Sequence, residues 1–106
     1  MLPDVRSDHM QIVKDILNKY VHRNEVYIFG SRANGKAKST SDLDLLIKGE
    51  APMALGVLAH LRYDFSESNL PYKVDVIDWL VLSDNFRETI NKGHTIKIDT
   101  SQPPVF

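Results

Sequence analysis

The chain has 106 residues, a formal net charge of −1 and no cysteine. This length is enough for one domain with a small hydrophobic core and not for two, so we expect a single domain over residues 1–106. A composition of 42% hydrophobic and 25% charged residues excludes a disordered or fibrous protein. The near-neutral charge also argues against general nucleic-acid binding, for which a strongly basic face is typical.

The sequence shows no feature of membrane insertion or secretion. No apolar run approaches the roughly 20 residues of a membrane-spanning helix. Residues 1–8 lack the basic start and apolar stretch of a signal peptide. The lack of cysteine fits a reducing compartment. We therefore expect a cytoplasmic protein with no membrane partner.

The first half of the chain predicts a helix, a strand and a polar loop. Apolar residues at helical spacing predict a helix over about residues 8–20, with Asp8 and Gln11 forming a capping box at its start. A run of β-branched and aromatic residues at 26–29 predicts a buried strand. Residues 30–41 are rich in Gly, Ser and Lys and predict a loop or a short helical turn.

The second half predicts two further strands and two further helices. Residues 42–47 and 74–77 predict strands, and Pro52 lies near the start of a helix between them. The periodic apolar residues of that helix are Leu55, Leu58, Leu61 and Phe65. Ser83 is expected to cap a last helix, which ends at Gly93 and is followed by a short tail. This order predicts the α/β (α+β) class, with a small mixed β-sheet packed against helices.

Asp42 and Asp44 are the first candidates for chemistry. Residues two apart on a strand point to the same face, so these carboxylates project together, with Leu43 and Leu45 on the opposite, core-facing side. Like charges held this close are unfavourable unless a cation lies between them, and hard oxygen ligands suit Mg²⁺. Asp-x-Asp at a strand edge is also common outside metal sites, so the pair alone does not define one.

Gly30 and Ser31 are the second candidates. They follow the first predicted strand, and a turn at this place offers free backbone N–H groups and a hydroxyl to phosphate oxygens. Most Gly-Ser pairs belong to ordinary loops. The indication of a site comes from their combination with the acidic pair.

Asp75 is the third candidate, because it lies between Val74 and Val76, where an unpaired charge would be costly. It fits a third metal ligand on a strand next to the one that carries the acidic pair. The ordinary alternative is a carboxylate satisfied by Lys73. Asp78 competes for the role of ligand, but its odd offset from Asp75 puts it on the opposite face of a strand. We therefore favour Asp75.

The glycine turn and the acidic pair together resemble the signature of the polymerase-β-type nucleotidyltransferase superfamily. In this chain the signature consists of Gly30-Ser31, ten intervening residues and Asp42-Leu43-Asp44. The resemblance is to its shortest members in particular, the minimal nucleotidyltransferases (MNT) of bacteria and archaea, and it covers about residues 26–93. It is carried by residues 29–47 (FGSRANGKAKSTSDLDLLI), 70–79 (LPYKVDVIDW) and 86–93. One departure is Asn34, where many relatives have arginine, so the positive field on a triphosphate is weaker here.

The resemblance implies a nucleotidyltransferase fold and a reaction that depends on magnesium. A nucleoside monophosphate would pass from a nucleoside triphosphate, expected to be ATP, to an acceptor hydroxyl, and pyrophosphate would leave. Asp42 and Asp44 would bridge two Mg²⁺ ions. Asp75 would hold the ion nearest the acceptor and take part in removing the hydroxyl proton.

The resemblance also implies how the triphosphate is held. Gly30 and Ser31 would position the β- and γ-phosphates, and Arg32 would neutralise developing charge. Lys36 and Lys38 are open between phosphate contact and a solvated basic loop. These residues complete the predicted nucleotide site.

The acceptor is inferred from the same resemblance. Minimal members are typically encoded beside a small helical protein of the HEPN or substrate-binding type, and several are antitoxins that attach AMP to a tyrosine of that toxin. We therefore expect AMP transfer from ATP to a tyrosine of a HEPN-type toxin partner. One alternative is transfer to a small molecule such as an aminoglycoside, with the helical partner completing the site. Another is a binding module that neutralises its partner by contact alone.

A helical partner predicts a docking surface on this chain. We expect an apolar surface patch near Trp79 or in the tail, residues 103–106. A homo-oligomer stays open as well. The complete set of clustered carboxylates argues against a module that acts by contact alone, because such a set is unfavourable without a use.

Overall fold

The computed structural model describes residues 2–100, so the expected docking surface in residues 103–106 lies outside the described residues. Helices and strands alternate along this part of the chain. In chain order they are α1 (Ser7–Tyr20), β1 (Glu25–Phe29), α2 (Ser31–Asn34), β2 (Leu43–Lys48), α3 (Leu55–Ser66), β3 (Val74–Asp78), a 3₁₀ turn (Trp79–Val81), α4 (Asp84–Lys92) and β4 (Ile96–Ile98).

The four strands form one mixed sheet in the order β3-β2-β1-β4. β1 pairs antiparallel with β2 and with β4, whereas β2 pairs parallel with β3. A parallel pair needs a crossover between its strands, and α3 is that crossover. The predicted mixed sheet packed against helices is therefore confirmed.

The hydrophobic core lies between one face of the sheet and the helices α1 and α3. Leu43 and Leu45 are fully buried there, as the alternation along β2 predicts. The main core comprises Val13, Ile16, Leu17, Val21, Val26, Ile28, Ala33, Leu43, Leu45, Ile47, Leu58, Leu61, Phe65, Val76 and Ile98. The opposite face of the sheet carries Asp44, and Phe86 of α4 lines the same cleft as this carboxylate.

The predicted capping box at the start of α1 is wrong. The helix begins at Ser7, after Arg6, and no side chain caps it. Asp8 lies within the first turn and bonds Arg6, with Nη2 to Oδ2 at 3.0 Å. Gln11 donates to Asp15 (2.8 Å) instead of reaching back. Asp8 therefore acts through its charge near the positive end of the helix.

One short strand near the C-terminal end of the described residues was not predicted. The expected tail after Gly93 contains β4, which pairs with β1 from Val26↔Ile98 to Ile28↔Ile96. Three residues are too few for an alternating pattern to be recognised, so only the pairing reveals this strand. The predicted end of α4 is confirmed, since Ser83 Oγ accepts from Phe86 N (3.2 Å) at its start and Gly93 follows its last residue.

No helix within residues 2–100 has the length and apolar character needed to cross a lipid bilayer.

Asp78 ends β3 and has a structural role. It is 3% exposed, and its carboxylate accepts from Met53 N (2.7 Å) and Leu80 N (3.0 Å). It therefore ties the 3₁₀ turn to the segment that precedes α3. The structure thus agrees with the preference for Asp75 over Asp78 at the candidate site.

We predict that Asp78→Ala lowers the free energy of unfolding by about 2–4 kcal/mol, because two backbone amides lose their acceptor. Urea titration of the purified variant measures this. Asp78→Asn keeps one carbonyl acceptor and should lose less. An Asp78→Ala variant as stable as wild type would contradict the role of this carboxylate.

Candidate functional site

The site is built where β2 and β3 run side by side. In the register of the sheet, Asp44 of β2 lies beside Asp75 of β3 on one side and beside Phe29 of β1 on the other. Asp42 is exposed and lies just before β2 begins. The predicted adjacency of the Asp75 strand and the acidic pair is therefore confirmed.

The carboxylates of the site act on one another. Burial, together with the charges of Asp75 and Asp42, raises the pKa of Asp44 to about 6, against the opposing effect of Lys73. Asp75 in turn forms an ion pair with Lys73 (3.3 Å), and its side chain is 43% exposed. The ordinary alternative for Asp75, pairing with Lys73, is thus realised alongside its place in the site.

The three carboxylates do not converge as closely as the sequence predicts. Among residues 2–100, no three His, Cys, Asp or Glu side chains are grouped closely enough to hold a metal ion. Lys73 pairs with Asp75 (3.3 Å), and the charges of Asp75 and Asp42 act on Asp44. The assignment of all three carboxylates as ligands of a metal ion therefore stays a prediction.

The donor set nevertheless fits a hard divalent cation. Asp42, Asp44 and Asp75 offer carboxylate oxygens, and these are the ligands that Mg²⁺ prefers. Burial and the nearby charges of Asp75 and Asp42 both raise the pKa of Asp44, and a neighbouring cation would oppose both effects. A cation between the carboxylates would remove the repulsion that keeps them apart.

Gly30 is required at the turn beside Asp44 for two reasons. Its φ of 73° and ψ of −153° belong to a region that only glycine adopts readily. A Cβ at this position would lie 2.5 Å from Asp44 Oδ2. The backbone of the turn therefore approaches the acidic site more closely than any side chain would allow.

Ser31 and Asn34 begin and end the four-residue helix α2 that follows. The first N–H groups of a helix have no acceptor within it, so those at Ser31 and its neighbours can receive an anion. Asn34 Oδ1 accepts from Lys36 N (3.0 Å), so this side chain helps to close the next turn. Lys36 and Lys38 are both exposed.

Arg32 does not face the phosphate turn, although the sequence predicts that it does. It is 5% exposed, and all three guanidinium nitrogens donate to backbone carbonyls. Its guanidinium also lies 3.9 Å from the centroid of the Tyr72 ring. Because its donors are used inside the protein, the structure gives Arg32 a packing role where the sequence predicts a phosphate contact.

A cleft of about 590 Å³ opens in front of Asp44 and Asp75. It is lined by Phe29, Asp44, Arg62, Lys73, Val74, Asp75, Val76, Ile77 and Phe86. A larger cavity of about 820 Å³ lies at the other end of the sheet, where Glu25 pairs with Lys97 (2.9 Å) and none of the motif residues is present. The smaller cleft therefore contains the chemistry.

Two residues of this cleft were missed from sequence. Arg62 is the only Lys or Arg in the largely apolar helix α3, and that isolation is the signal that could have identified it. Its Nη2 donates to Val76 O (2.8 Å) at the edge of β3. Phe86 is 44% exposed, and nothing in the spacing of α4 distinguishes it from a core residue.

A mixed sheet that carries a glycine turn and paired aspartates on adjacent strands defines a nucleotidyltransferase, and comparison with known proteins agrees. The family model described as "Polymerase beta, Nucleotidyltransferase" matches residues 11–102. The chain therefore belongs to the polymerase-β nucleotidyltransferase family. It is 45% identical over 93 residues to the "Probable protein adenylyltransferase MntA" of Haemophilus influenzae, which covers 88% of this chain and 82% of that relative.

Two crystal structures share the fold. One is a toxin–antitoxin with AMP-PNP, with a TM-score of 0.67 at 18% identity over 82% of this chain and 69% of that one. The other is a mutant of the toxin–antitoxin MntA-HpeT, with a TM-score of 0.66 at 15% identity over 88% of this chain and 72% of that one. At these identities the two matches establish the architecture alone.

We predict that Gly30→Ala weakens binding of Mg²⁺-ATP more than Gly35→Ala does. Both positions have positive φ (73° and 78°), so each substitution costs about 1–3 kcal/mol in backbone strain. Only the Gly30 methyl meets Asp44, since no atom lies within 4 Å of a Cβ at Gly35. Thermal melting with and without Mg²⁺-ATP separates the two effects. Equal loss of ligand-induced stabilisation would show that contact with Asp44 is unimportant.

We predict that Asp44→Asn is more stable than wild type near neutral pH in metal-free buffer. The pKa of Asp44 is about 6 in the folded protein against 3.8 ordinarily, so the folded state binds the proton more tightly between these values. The free energy of unfolding of wild type therefore falls as the pH rises through this window, and the uncharged Asn avoids that loss.

Thermal melting from about pH 4 to about pH 8 tests the pH dependence. The advantage of the Asn variant should be full above about pH 6 and vanish towards about pH 4. A difference that stays constant over this range would contradict the raised pKa.

Proposed function

We propose that this protein transfers AMP from ATP to a tyrosine hydroxyl of a HEPN-type toxin partner in a magnesium-dependent reaction. The pairing of Asp44 with Asp75 beside the Gly30 turn is the observation that carries the proposal. The 45% identity to a "Probable protein adenylyltransferase" supports the choice of AMP and of a protein acceptor. Activity in the cytoplasm is part of this proposal.

Asp42, Asp44 and Asp75 would hold the metal ions. When bound, two Mg²⁺ ions supply charge stabilisation to the attacking and leaving oxygens. Because the pKa of Asp44 is about 6, this carboxylate is largely ionised at neutral pH and available as a ligand. In this proposal, a bound cation would neutralise the repulsion among the three carboxylates and allow them to approach one another.

The nucleotide would lie with its triphosphate at the glycine turn. Backbone N–H groups at Gly30 and Ser31 receive the β- and γ-phosphate oxygens in this orientation. Lys36 and Lys38 lie on the following loop and are the cations available there, since Arg32 is buried. The α-phosphorus is then directed towards Asp44.

The reaction is a displacement at the α-phosphorus. The acceptor oxygen forms a bond to phosphorus, the bond to the β-phosphate oxygen breaks, and pyrophosphate leaves. Asp75 is partly exposed and lies on the open side of the acidic pair, so it can accept the proton of the acceptor hydroxyl.

A protein partner would complete the site. In-line transfer needs a positioned acceptor and exclusion of water, and this cleft is open. Trp79, the expected centre of a docking patch, is covered by Lys48 (4.2 Å) and Arg87 (5.4 Å). The exposed apolar side chains nearest to it in sequence are Val81 and Phe86, and Phe86 also lines the cleft. Two similar structures are toxin–antitoxin complexes, which supports a toxin as the occupant.

Two alternatives make different predictions. If a small hydroxylated molecule is the acceptor, AMP appears on that molecule and the partner stays unmodified. If the protein acts by contact alone, no pyrophosphate forms and carboxylate variants still neutralise the partner. The costly accumulation of charge at Asp44 favours catalysis over contact alone.

We predict that Asp44→Asn abolishes AMP transfer while the fold is retained, because the change removes a ligand with little change in shape. The chain is co-expressed with the helical protein encoded beside it, and the intact mass of the partner is measured. Wild type should add the mass of one or more AMP groups, mapped to tyrosine by peptide fragmentation.

Asp15→Asn is the matched control, since Asp15 is an exposed carboxylate of α1 whose partner is Gln11. This variant should modify the partner as wild type does. An unmodified partner with wild-type protein and ATP present would overturn protein AMPylation. Partner modification by Asp44→Asn would overturn the role of Asp44.

A further inference from the structure

Arg32 is a buried cation that no carboxylate in residues 2–100 neutralises by an ion pair. Its Nε donates to Ser41 O (3.0 Å), Nη1 to Asp4 O (2.8 Å) and Nη2 to Ser41 O (2.8 Å). Nη2 also lies 3.2 Å from Ser39 O and 3.4 Å from Lys38 O. Burying a charge is costly, and here backbone carbonyl oxygens replace the water. The five donors of a planar guanidinium suit this arrangement, and an ammonium does not.

The carbonyls that Arg32 binds belong mainly to the loop that leads into β2. This loop closes on itself, because Lys38 N donates to Ser41 Oγ (2.8 Å) and Ser41 N donates to Lys38 O (3.1 Å). Ser41, whose carbonyl receives two of the guanidinium nitrogens, directly precedes Asp42. The position of Asp42 at the start of β2 therefore depends on the side chain of Arg32.

The other side of the guanidinium faces the segment that leads into β3. Arg32 stacks on Tyr72 at 3.9 Å, and the Tyr72 hydroxyl is hydrogen-bonded to His9 Nδ1 (3.2 Å) on α1. The next residue, Lys73, accepts from Leu43 N (2.9 Å) through its carbonyl. One side chain thus contacts the segments that immediately precede both carboxylate-bearing strands.

Arg32 also fixes the N-terminal segment against this junction. Asp4 N donates to Arg32 O (2.8 Å), and Arg32 Nη1 donates back to Asp4 O (2.8 Å). Because Arg32 follows Gly30-Ser31 on α2, the same residue is rigidly connected to the phosphate turn. The turn and the starts of β2 and β3 therefore share one internal support.

We infer that Arg32 is a positioning residue that sets Asp42 and the Asp75 strand relative to the Gly30 turn. The structural part of this inference is argued from hydrogen bonds alone. Its consequence for catalysis rests on the proposed function. It replaces the role of phosphate ligand for this arginine.

The test compares Arg32→Lys with Val21→Ala, a core substitution at the far end of α1 that lowers stability without touching the site. Hydrogen exchange is measured by mass spectrometry on both variants, each at the same number of degrees below its own melting temperature. Exchange in residues 36–43 and 70–75 should rise about tenfold or more in Arg32→Lys only, because these segments lose their shared support. Equal protection in the two variants would overturn the positioning role, whatever the protein's activity.

Metal and nucleotide binding give a second readout. Mn²⁺ affinity, measured by electron paramagnetic resonance, should fall about 10-fold to 100-fold in Arg32→Lys, as is typical when a residue that orients metal ligands is lost. The KM for ATP should stay near that of wild type while kcat falls. A raised KM with unchanged Mn²⁺ affinity would restore the phosphate role and overturn the inference.

Tyr72 provides an independent variant that leaves the loop carbonyls intact. Tyr72→Leu removes the ring under the guanidinium and should reproduce part of the exchange and Mn²⁺ effects. Tyr72→Phe keeps the ring and loses only the bond to His9, so it should behave like wild type. If the two substitutions have the same effect, stacking on Arg32 is not what Tyr72 contributes, and the coupling to β3 is wrong.

Failure of wild type to modify a partner would instead count against the proposed function and leave these exchange results standing.

Discussion

The parallel pairing of β2 with β3 is the constraint on which the site depends. It sets Asp44 directly beside Asp75, and the resulting repulsion, added to burial, raises the pKa of Asp44 to about 6. A stable fold would avoid such a contact unless it served a purpose, because two ionised carboxylates this close destabilise the native state. The rest of the domain holds this unfavourable pair in place, with fully buried leucines on the opposite face of β2.

The parallel pair also explains the shape of the molecule. Parallel strands need a crossover, and α3 supplies it while packing with α1 on the core face. The opposite face is left for the cleft, which α4 borders through Phe86. At the end of this face where Asp44 lies, Gly30 comes so close to Asp44 that no side chain fits between them. The groups proposed to bind phosphate and metal therefore lie next to each other.

The main elements and the acidic pair could be predicted because they depend on local patterns. Alternation along β2 separates Asp44 from its buried neighbours, and a glycine after a buried strand marks the turn. Arg32 could not be assigned in the same way, since its carbonyl acceptors come from separate parts of the chain. The raised pKa of Asp44 could not be predicted for a similar reason, because it depends on burial and on the charge of Asp75 on a neighbouring strand.

The direction from which an acceptor enters follows from the strand order. Within residues 2–100, β3 has β2 as its only neighbour, so one side of Asp75 is free of sheet. Arg62 donates to Val76 O on this strand, and a carbonyl occupied by an arginine is a poor template for another β-strand. The edge is thus protected against pairing while the carboxylate of Asp75 stays accessible. An acceptor hydroxyl can reach Asp75 from this side without crossing the Gly30 turn, where the triphosphate would lie.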